Sequence, residues 1–175
     1  MQSNQVHGKG RESMPEDEPD AAIGLGVPPP VVYLVPLILG LLLNRKIPAP
    51  FLPRGLTRML GLPLISGGVL LGGWTYRMMR RANTPITGEP FVAGKPTTSL
   101  VTQGPFRYTR NPGYLGAAMV YAGIASLANA LWAVLLLPVT LLMMQHTAIE
   151  REERYLEGKF GEEYLRYKAQ VRRWI

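Results

Sequence analysis

Charged and apolar positions are strongly segregated along the chain. Charges concentrate in the first 20 residues, in two loops and in the last 30 residues, and long stretches between positions 31 and 148 carry none. Each of four apolar segments is near or below the ~20 residues that a helix needs to cross a hydrocarbon core. This pattern is typical of a membrane protein, and it predicts an all-α integral membrane bundle of about four spans. The segments cover residues 28–43, 59–76, 114–128 and 131–147.

Details of these segments indicate how the predicted helices pack. Gly68 and Gly72 form a small-xxx-small pair in the second segment, a spacing that lets another helix approach closely. The third and fourth segments are separated only by the uncharged residues 126–130, so we predict a tight antiparallel hairpin. The first segment is the least regular because it contains four prolines, although the first three suit the start of a helix. The sequence does not decide whether this segment crosses the membrane completely.

An amphipathic helix is predicted to follow the last apolar segment. Apolar residues recur there at intervals of three, four or seven and so share one face of a helix. Gly158 and Gly161 are expected to bend or interrupt it. Glu152 and Glu153 lie near the apolar face and just beyond the last membrane segment, where a carboxylate is a suitable receptor for a cationic amine. The apolar positions are Ile149, Leu156, Phe160, Tyr164, Tyr167, Val171 and Trp174.

The chain therefore divides into three predicted regions. Residues 1–27 are an acidic tail that we expect to be disordered. Residues 28–148 form a transmembrane helical domain with a long loop at 77–113, and residues 149–175 form the amphipathic helix. Of the 19 Lys and Arg residues, 15 fall on the side of both termini and the long loop. The positive-inside rule places that side in the cytoplasm.

Composition excludes several function classes. The net charge is +7, but the basic residues cluster beside apolar segments and form no stripe with interleaved aromatic residues, so nucleic-acid binding is not expected. The chain has no cysteine and only two histidines, His7 and His146. We therefore expect neither a disulfide framework nor a metal centre built from these residues.

Two separated motifs carry the candidate chemistry. The first lies between Thr98 and Gly116 and contains L-V-T-Q-G-P-F-R-Y-T-R-N-P-G-Y. The second, E-E-x-x-L-x-x-x-F-G-x-x-Y-x-x-Y, begins at Glu152 and ends at Tyr167. They flank the predicted hairpin in this order. With them, residues 83–175 resemble the membrane methyltransferases of the isoprenylcysteine carboxyl and phospholipid N-methyltransferase group.

The resemblance implies S-adenosylmethionine as the cofactor, with the amphipathic helix completing its site. Aromatic and apolar groups of the first motif suit the adenine, and the carboxylate of Glu152 suits the cofactor's amine. The pair Asn111-Pro112 has an alternative interpretation as a simple turn and helix entry. Matched by position, the implied cofactor contacts are Thr98, Ser99, Leu100, Val101, Phe106, Asn111, Pro112, Gly113, Tyr114 and Glu152.

Two positions depart from the family pattern. Asn111 replaces a histidine, so a contact through an imidazole is lost, while a backbone contact stays open. Ala148 occupies the position at which isoprenylcysteine enzymes carry a substrate-orienting arginine. An arginine there would bind a carboxylate through two hydrogen bonds, so its replacement argues against a carboxyl substrate.

Two residues are candidates for catalysis. His146 falls two turns before Glu153 on the same helix face and is a candidate general base for an amine or thiol nucleophile. The alternative is an ordinary histidine at a membrane boundary. Arg173 is similar to a basic residue near the end of many bacterial members, and its alternative is a charge that faces phospholipid.

These observations predict an S-adenosylmethionine-dependent methyltransferase at the cytoplasmic membrane boundary. Its acceptor would be a lipophilic small molecule or a lipidated molecule, and membrane lipids would surround it. One alternative is a reductase that uses NADPH, because membrane sterol reductases also combine an R-x-P-x-Y turn with a following acidic helix. The other alternative is a non-enzymatic membrane scaffold that has kept the fold.

Overall fold

Helices make up the body of the protein. The computed structural model describes residues 28–82 and 99–175, and within these two ranges it contains no strand. The predicted all-α fold is confirmed. A short 3-10 turn (Gly104–Arg107) precedes α3, and a π-helical turn (Gln145–Ile149) joins α4 to α5. The helices are α1 (Pro29–Lys46), α2 (Arg54–Arg81), α3 (Pro112–Leu127), α4 (Leu131–Met144), α5 (Glu150–Phe160) and α6 (Glu162–Gln170).

The structure changes one predicted helix boundary and narrows another to a single residue. The long loop predicted to begin at residue 77 begins later, because α2 continues to Arg81. Residues 77–81 are arginines and methionines, which are good helix formers, so nothing there ends the helix. The predicted interruption of the amphipathic region occurs at Gly161, whose φ of 50° suits glycine, whereas Gly158 remains inside α5.

The outer surface of the bundle is suited to lipid. Two helices, Arg54–Arg81 and the continuous helix Leu131–Phe160, are long and apolar enough to cross a membrane, and α3 is a shorter apolar helix of 16 residues. Many large apolar side chains on α1, α2 and α4 point outward. In a bilayer such side chains face hydrocarbon at no cost. Examples more than half exposed are Leu34, Val35, Ile38, Met59, Leu70, Leu135 and Leu142.

Glycines bring α2 and α3 into backbone contact. A Cβ atom added to Gly68 would lie 2.5 Å from the carbonyl oxygen of Gly116, and one added to Gly123 would lie 2.7 Å from that of Gly61. The two pairs are seven residues apart on both helices, which run antiparallel. The predicted close approach at Gly68 is therefore present. Gly72 contributes its backbone, which would lie 3.2 Å from a Cβ atom on Gly116.

The α1 and α4 helices form the second close pair. A Cβ atom on Gly40 would lie 2.4 Å from the Cα atom of Ala133, so α1 and α4 also approach closely there. Buried tyrosines connect the pairs: the hydroxyl of Tyr121 on α3 donates to the carbonyl of Ala133 at 3.0 Å. The hydroxyl of Tyr33 on α1 donates to the carbonyl of Tyr114 at 3.0 Å. Residues of α1, α3 and α4 thus share one core, and α2 joins it through its glycine contacts with α3.

The predicted hairpin between α3 and α4 is present and anchors one end of the bundle. Its turn contains Asn129, a non-glycine residue with a positive φ of 49°. The side-chain oxygen of Asn129 accepts hydrogen bonds from the backbone N–H groups of Phe51 and Leu52 at 3.0 and 2.9 Å. Its amide nitrogen donates to the carbonyl of Leu52 at 2.8 Å. The hairpin is thereby fixed to the connection between α1 and α2.

The opposite end of the bundle carries the residues of the two motifs. The hydroxyl of Ser99 donates to the carbonyl of Ala82 at 3.0 Å, which ties the first motif to the end of α2. The start of α3 and the end of α4 lie at this same end, because α3 and α4 run antiparallel. The candidate residues for function are therefore collected at one end of the helices.

Replacement of Gly68 by alanine tests the contact between α2 and α3. We expect Gly68→Ala to lower the melting temperature of the detergent-solubilised protein by several degrees, because the new methyl group overlaps the backbone of Gly116. The matched control is Gly73→Ala on the same helix, where an added Cβ atom meets nothing within 4 Å. An equal loss in both variants would contradict this account.

Replacement of Asn129 by alanine tests the anchor at the hairpin end. Asn129→Ala removes three hydrogen bonds to residues 51 and 52 and leaves a non-glycine residue in a left-handed conformation. We expect a loss of about 2 kcal/mol in the free energy of unfolding, measured by thermal or denaturant unfolding in detergent. Asn129→Asp keeps the acceptor for both N–H groups and should recover part of the loss. An alanine variant as stable as the wild type would refute the anchor.

Candidate active site

The two sequence motifs meet in the folded chain. The hydroxyl of Tyr167 donates to the carbonyl of Phe106 at 2.7 Å. The hydroxyl of Tyr114 donates to Oε1 of Glu152, also at 2.7 Å. Each bond joins a residue of the first motif to a residue of the second, although the partners are 61 and 38 positions apart. The motifs therefore form one site.

The Gly-Pro pair of the first motif forms a turn against the end of α2. Gly104 has a φ of 62°, a left-handed conformation that glycine adopts without strain. A Cβ atom at this position would lie 3.1 Å from Cγ of Met78 and 3.2 Å from Nε1 of Trp74. Pro105 follows, completely buried, at the start of the 3-10 turn. Close contact with α2 sets the position of the turn and of Phe106 after it.

The start of α3 places Tyr114 at the centre of the site. Pro112 is the first residue of this helix, where its missing N–H costs nothing, and it is completely buried. Tyr114 is 4% exposed, and Tyr33 of α1 holds its carbonyl. Its hydroxyl donates to the half-buried carboxylate of Glu152. A carboxylate positioned by a buried phenol is suited to bind a cation.

Next to this pair, Glu153 is the centre of a buried ion network. Glu153 is 6% exposed, and its carboxylate accepts two hydrogen bonds from Arg173, from Nε at 3.0 Å and from Nη2 at 2.8 Å. Nη2 of Arg110 lies 3.2 Å from Oε1 of Glu153. The third nitrogen of Arg173, Nη1, lies 3.7 Å from Glu150. Two arginines thus face two glutamates, and the hydrogen bonds that Arg173 donates to Glu153 raise the pKa of Arg173.

Backbone hydrogen bonds tie the last residues of the chain to the turn before α3. The N–H of Arg110 donates to the carbonyl of Arg172 at 3.0 Å. The carbonyl of Arg173 accepts from the hydroxyl of Thr109 at 3.0 Å and from the side-chain amide of Asn111 at 2.9 Å. The Asn111 side chain therefore binds the C-terminal segment in this conformation, and a contact of Asn111 with a ligand is left to its backbone.

Two tyrosines of α6 form the wall beside this network. Tyr164 and Tyr167 are buried, and their ring centroids lie 6.1 Å apart. Burial, followed by the negative charge of Glu153, raises the pKa of Tyr164 to about 12. Burial also raises the pKa of Tyr167. Both hydroxyls therefore stay protonated at physiological pH, and Tyr167 uses its proton in the bond to Phe106.

The candidate base His146 lies in the π-helical turn between α4 and α5. Its side chain is 64% exposed, and its Nδ1 atom lies 3.2 Å from Oε2 of Glu150. Because Glu150 also faces Arg173, both candidate catalytic residues border the same carboxylate. A π-helical turn adds a residue to one helical turn and is frequent at functional sites. Ala148, in the same turn, packs against the core of the bundle.

The remaining predicted contacts belong to the segment before the Gly-Pro turn and to the helix entry. Ser99, Leu100 and Val101 are half-buried, as is Gly113, while Thr98 lies outside the described residues. Arg110 and Thr109 were absent from the predicted site, although both belong to the first motif. Arg110 in the first motif and the paired glutamates of the second motif are the only sequence features that point to this ion network. Their pairing depends on residues distant in sequence.

The model of the phospholipid methyltransferase family matches residues 56–163, more than half of the chain. The chain belongs to the phospholipid methyltransferase family. The matched range includes nearly all of α2, the whole hairpin, and both Tyr114 and Glu152. The predicted resemblance to this family is thereby confirmed.

An individual relative adds a short local match. The chain is 54% identical over 37 residues to an uncharacterized protein of Haemophilus influenzae. The match spans 21% of this chain and 59% of that relative. No solved structure matches the chain.

Proposed function

We propose that the protein transfers a methyl group from S-adenosylmethionine to a lipophilic acceptor at the cytoplasmic boundary of the membrane. The observation that carries this proposal is the contact between Tyr114 and Glu152, because it joins the two motifs through side chains suited to a cationic cofactor. Membership of the family supports methyl transfer as the reaction class. The NADPH-dependent reductase and the scaffold receive no comparable support.

The chemistry of the side chains fits the proposed cofactor. S-adenosylmethionine has a cationic amine, for which the carboxylate of Glu152 is a charge-assisted hydrogen-bond acceptor. Its adenine is flat and apolar, and the half-buried Leu100, Val101 and Phe106 supply apolar surface from the first motif. The cofactor would thus lie between the segment before α3 and the start of α5.

When bound, S-adenosylmethionine supplies an electrophilic methyl group, and the protein's task is to orient both reactants and exclude water. Tyr114 would hold the carboxylate of Glu152 in one orientation, so that the amine of the cofactor is bound in a defined place. The glycine contacts of α2 and α3 keep Tyr114 itself fixed. These roles require no covalent intermediate on the chain.

The acceptor would reach the site from the lipid phase. The outward-facing apolar side chains of α1, α2 and α4 are suited to contact hydrocarbon. Ala148 offers no charge for a carboxylate, which favours an acceptor without one. The distribution of 15 of 19 Lys and Arg residues supports a cytoplasmic site and cytoplasmic termini.

His146 is the proposed general base. When its Nδ1–H donates to Glu150, Nε2 is left as the proton acceptor, which is the arrangement that a base requires. The exposed position of its ring would allow a proton to leave to solvent after transfer.

Removal of the charge at position 152 tests the cofactor site. We expect Glu152→Gln to weaken binding of S-adenosylmethionine about 10- to 100-fold in isothermal titration, because a charge-assisted hydrogen bond is lost. Tyr114→Phe keeps the ring and should weaken binding less. The matched control is Glu163→Gln on the exposed face of α6, which should bind like the wild type. Unchanged affinity in Glu152→Gln, with the fold intact, would refute this site.

Binding by the unaltered protein tests the reaction class. S-adenosylmethionine should raise the melting temperature of the solubilised protein, and NADPH should not. Stabilisation by NADPH alone would support the reductase, and stabilisation by neither would support the scaffold. A radiolabel transfer assay on membranes, with mass analysis of the labelled lipid fraction, would then identify the acceptor.

Replacement of His146 separates catalysis from binding. We expect His146→Ala to lower methyl transfer to the labelled lipid fraction about 100-fold or more, because a general base contributes at least this much. Affinity for S-adenosylmethionine should stay unchanged. Gln145→Ala, at the neighbouring position, is the control and should keep its activity. Full activity in His146→Ala would exclude this role.

A further inference from the structure

We propose that residues 171–175 act as a strap that positions the Tyr114–Glu152 pair, and that Arg173 is the positioning residue of this strap. The inference rests on the proposed function, because it assigns a role within the same cofactor site. It reinterprets Arg173, which the sequence predicts to be catalytic. Three observations lead to it: the bonds of the strap, the surroundings of the Arg173 guanidinium, and the break at Gly161.

The strap holds Tyr114 and Glu152 through residues close to each of them in the chain. Its backbone bonds reach Thr109, Arg110 and Asn111, which form the turn that leads into α3 and Tyr114. Its side-chain bonds reach Glu153, the residue next to Glu152. The strap therefore connects the base of α3 to the start of α5 at the place where the hydroxyl of Tyr114 meets Glu152.

The guanidinium of Arg173 faces two carboxylates. Nε and Nη2 donate to the two oxygens of Glu153, and Nη1 faces Glu150 at 3.7 Å. Glu153 thus occupies the edge formed by Nε and Nη2, and the remaining nitrogen lies near the negative charge of Glu150. This arrangement fits a positioning role and disfavours direct contact with the reactants.

The interruption of the helix at Gly161 explains why residues 171–175 are needed to hold α5 in place. Gly161 separates α5 from α6, so the two are not one continuous helix. Helix geometry alone therefore does not fix the orientation of α5, which carries Glu152, relative to the residues after Gly161. Arg173 and Tyr167 close this break by binding back to Glu153 and to Phe106. A buried ion pair of this kind is weak support for stability but fixes relative orientation, which is what a binding site needs.

Substitution of Arg173 tests the strap against a variant that is destabilised elsewhere. Arg173→Gln removes the charge that binds Glu153, and Arg173→Lys keeps the charge without the bidentate geometry. Asn129→Ala is the matched control, because it weakens the opposite end of the bundle. For each solubilised variant, the melting temperature and the dissociation constant of S-adenosylmethionine are measured, the latter well below the melting range.

We expect Arg173→Gln to bind S-adenosylmethionine about tenfold more weakly than the wild type, because one charged hydrogen-bonded pair no longer orients the site. Arg173→Lys should recover part of this affinity. Asn129→Ala should lose melting temperature with its affinity unchanged. If Arg173→Gln does not fold, Thr109→Val replaces it, since the valine removes one bond to the Arg173 carbonyl.

The possible outcomes are distinct. Wild-type affinity in the folded Arg173→Gln variant, or in Thr109→Val where it replaces that variant, would overturn the strap. An equal loss of affinity in Asn129→Ala would also overturn it, because the effect would then follow stability alone. Unchanged affinity with abolished methyl transfer in Arg173→Gln would instead restore the catalytic role of Arg173. Absence of binding by the wild type would refute the proposed function itself.

Discussion

The close approach of α2 and α3 is the constraint on which the rest of the structure depends. Lipid chains are as apolar as the side chains of the helices, so helices in a bilayer gain little from hydrophobic burial and depend on close packing instead. The pairs Gly61–Gly123 and Gly68–Gly116 allow backbone to touch backbone. Because the last residues of the first motif form the start of α3, this contact also sets the position of Tyr114.

The site occupies the boundary between this rigid bundle and a more polar C-terminal region. The bundle contributes Tyr114, held on one side by the hydroxyl of Tyr33. The C-terminal region contributes Glu152 and the ion network of Glu153, Arg110 and Arg173. A polar network of this kind is stable beside a membrane only where its charges are paired, and here two carboxylates face two guanidinium groups.

Such a division suits methyl transfer to a lipophilic molecule. The proposed cofactor is polar and would be bound best by charged groups close to water, whereas the proposed acceptor would prefer hydrocarbon. A site at the end of the helices would be open to both phases, and the chain would need only to hold the two reactants in line. In the proposed function, membership of the family supports the reaction class, and the contact of Tyr114 with Glu152 is the proposed place for it.

The sequence by itself determined the apolar segments, the hairpin, the interruption near Gly161 and the family, because these depend on local periodicity, on glycine and on motif residues close together in the chain. It also predicted Tyr114 and Glu152 for one site. Only the tertiary structure decided what Arg173 and Arg110 bind. Their partner Glu153 lies on α5, 20 residues from Arg173, whereas Arg110 lies in the turn before α3. A charged residue on a helix face looks the same in sequence whether it meets water or a buried partner, and only the packing of α5 against the turn before α3 distinguishes the two.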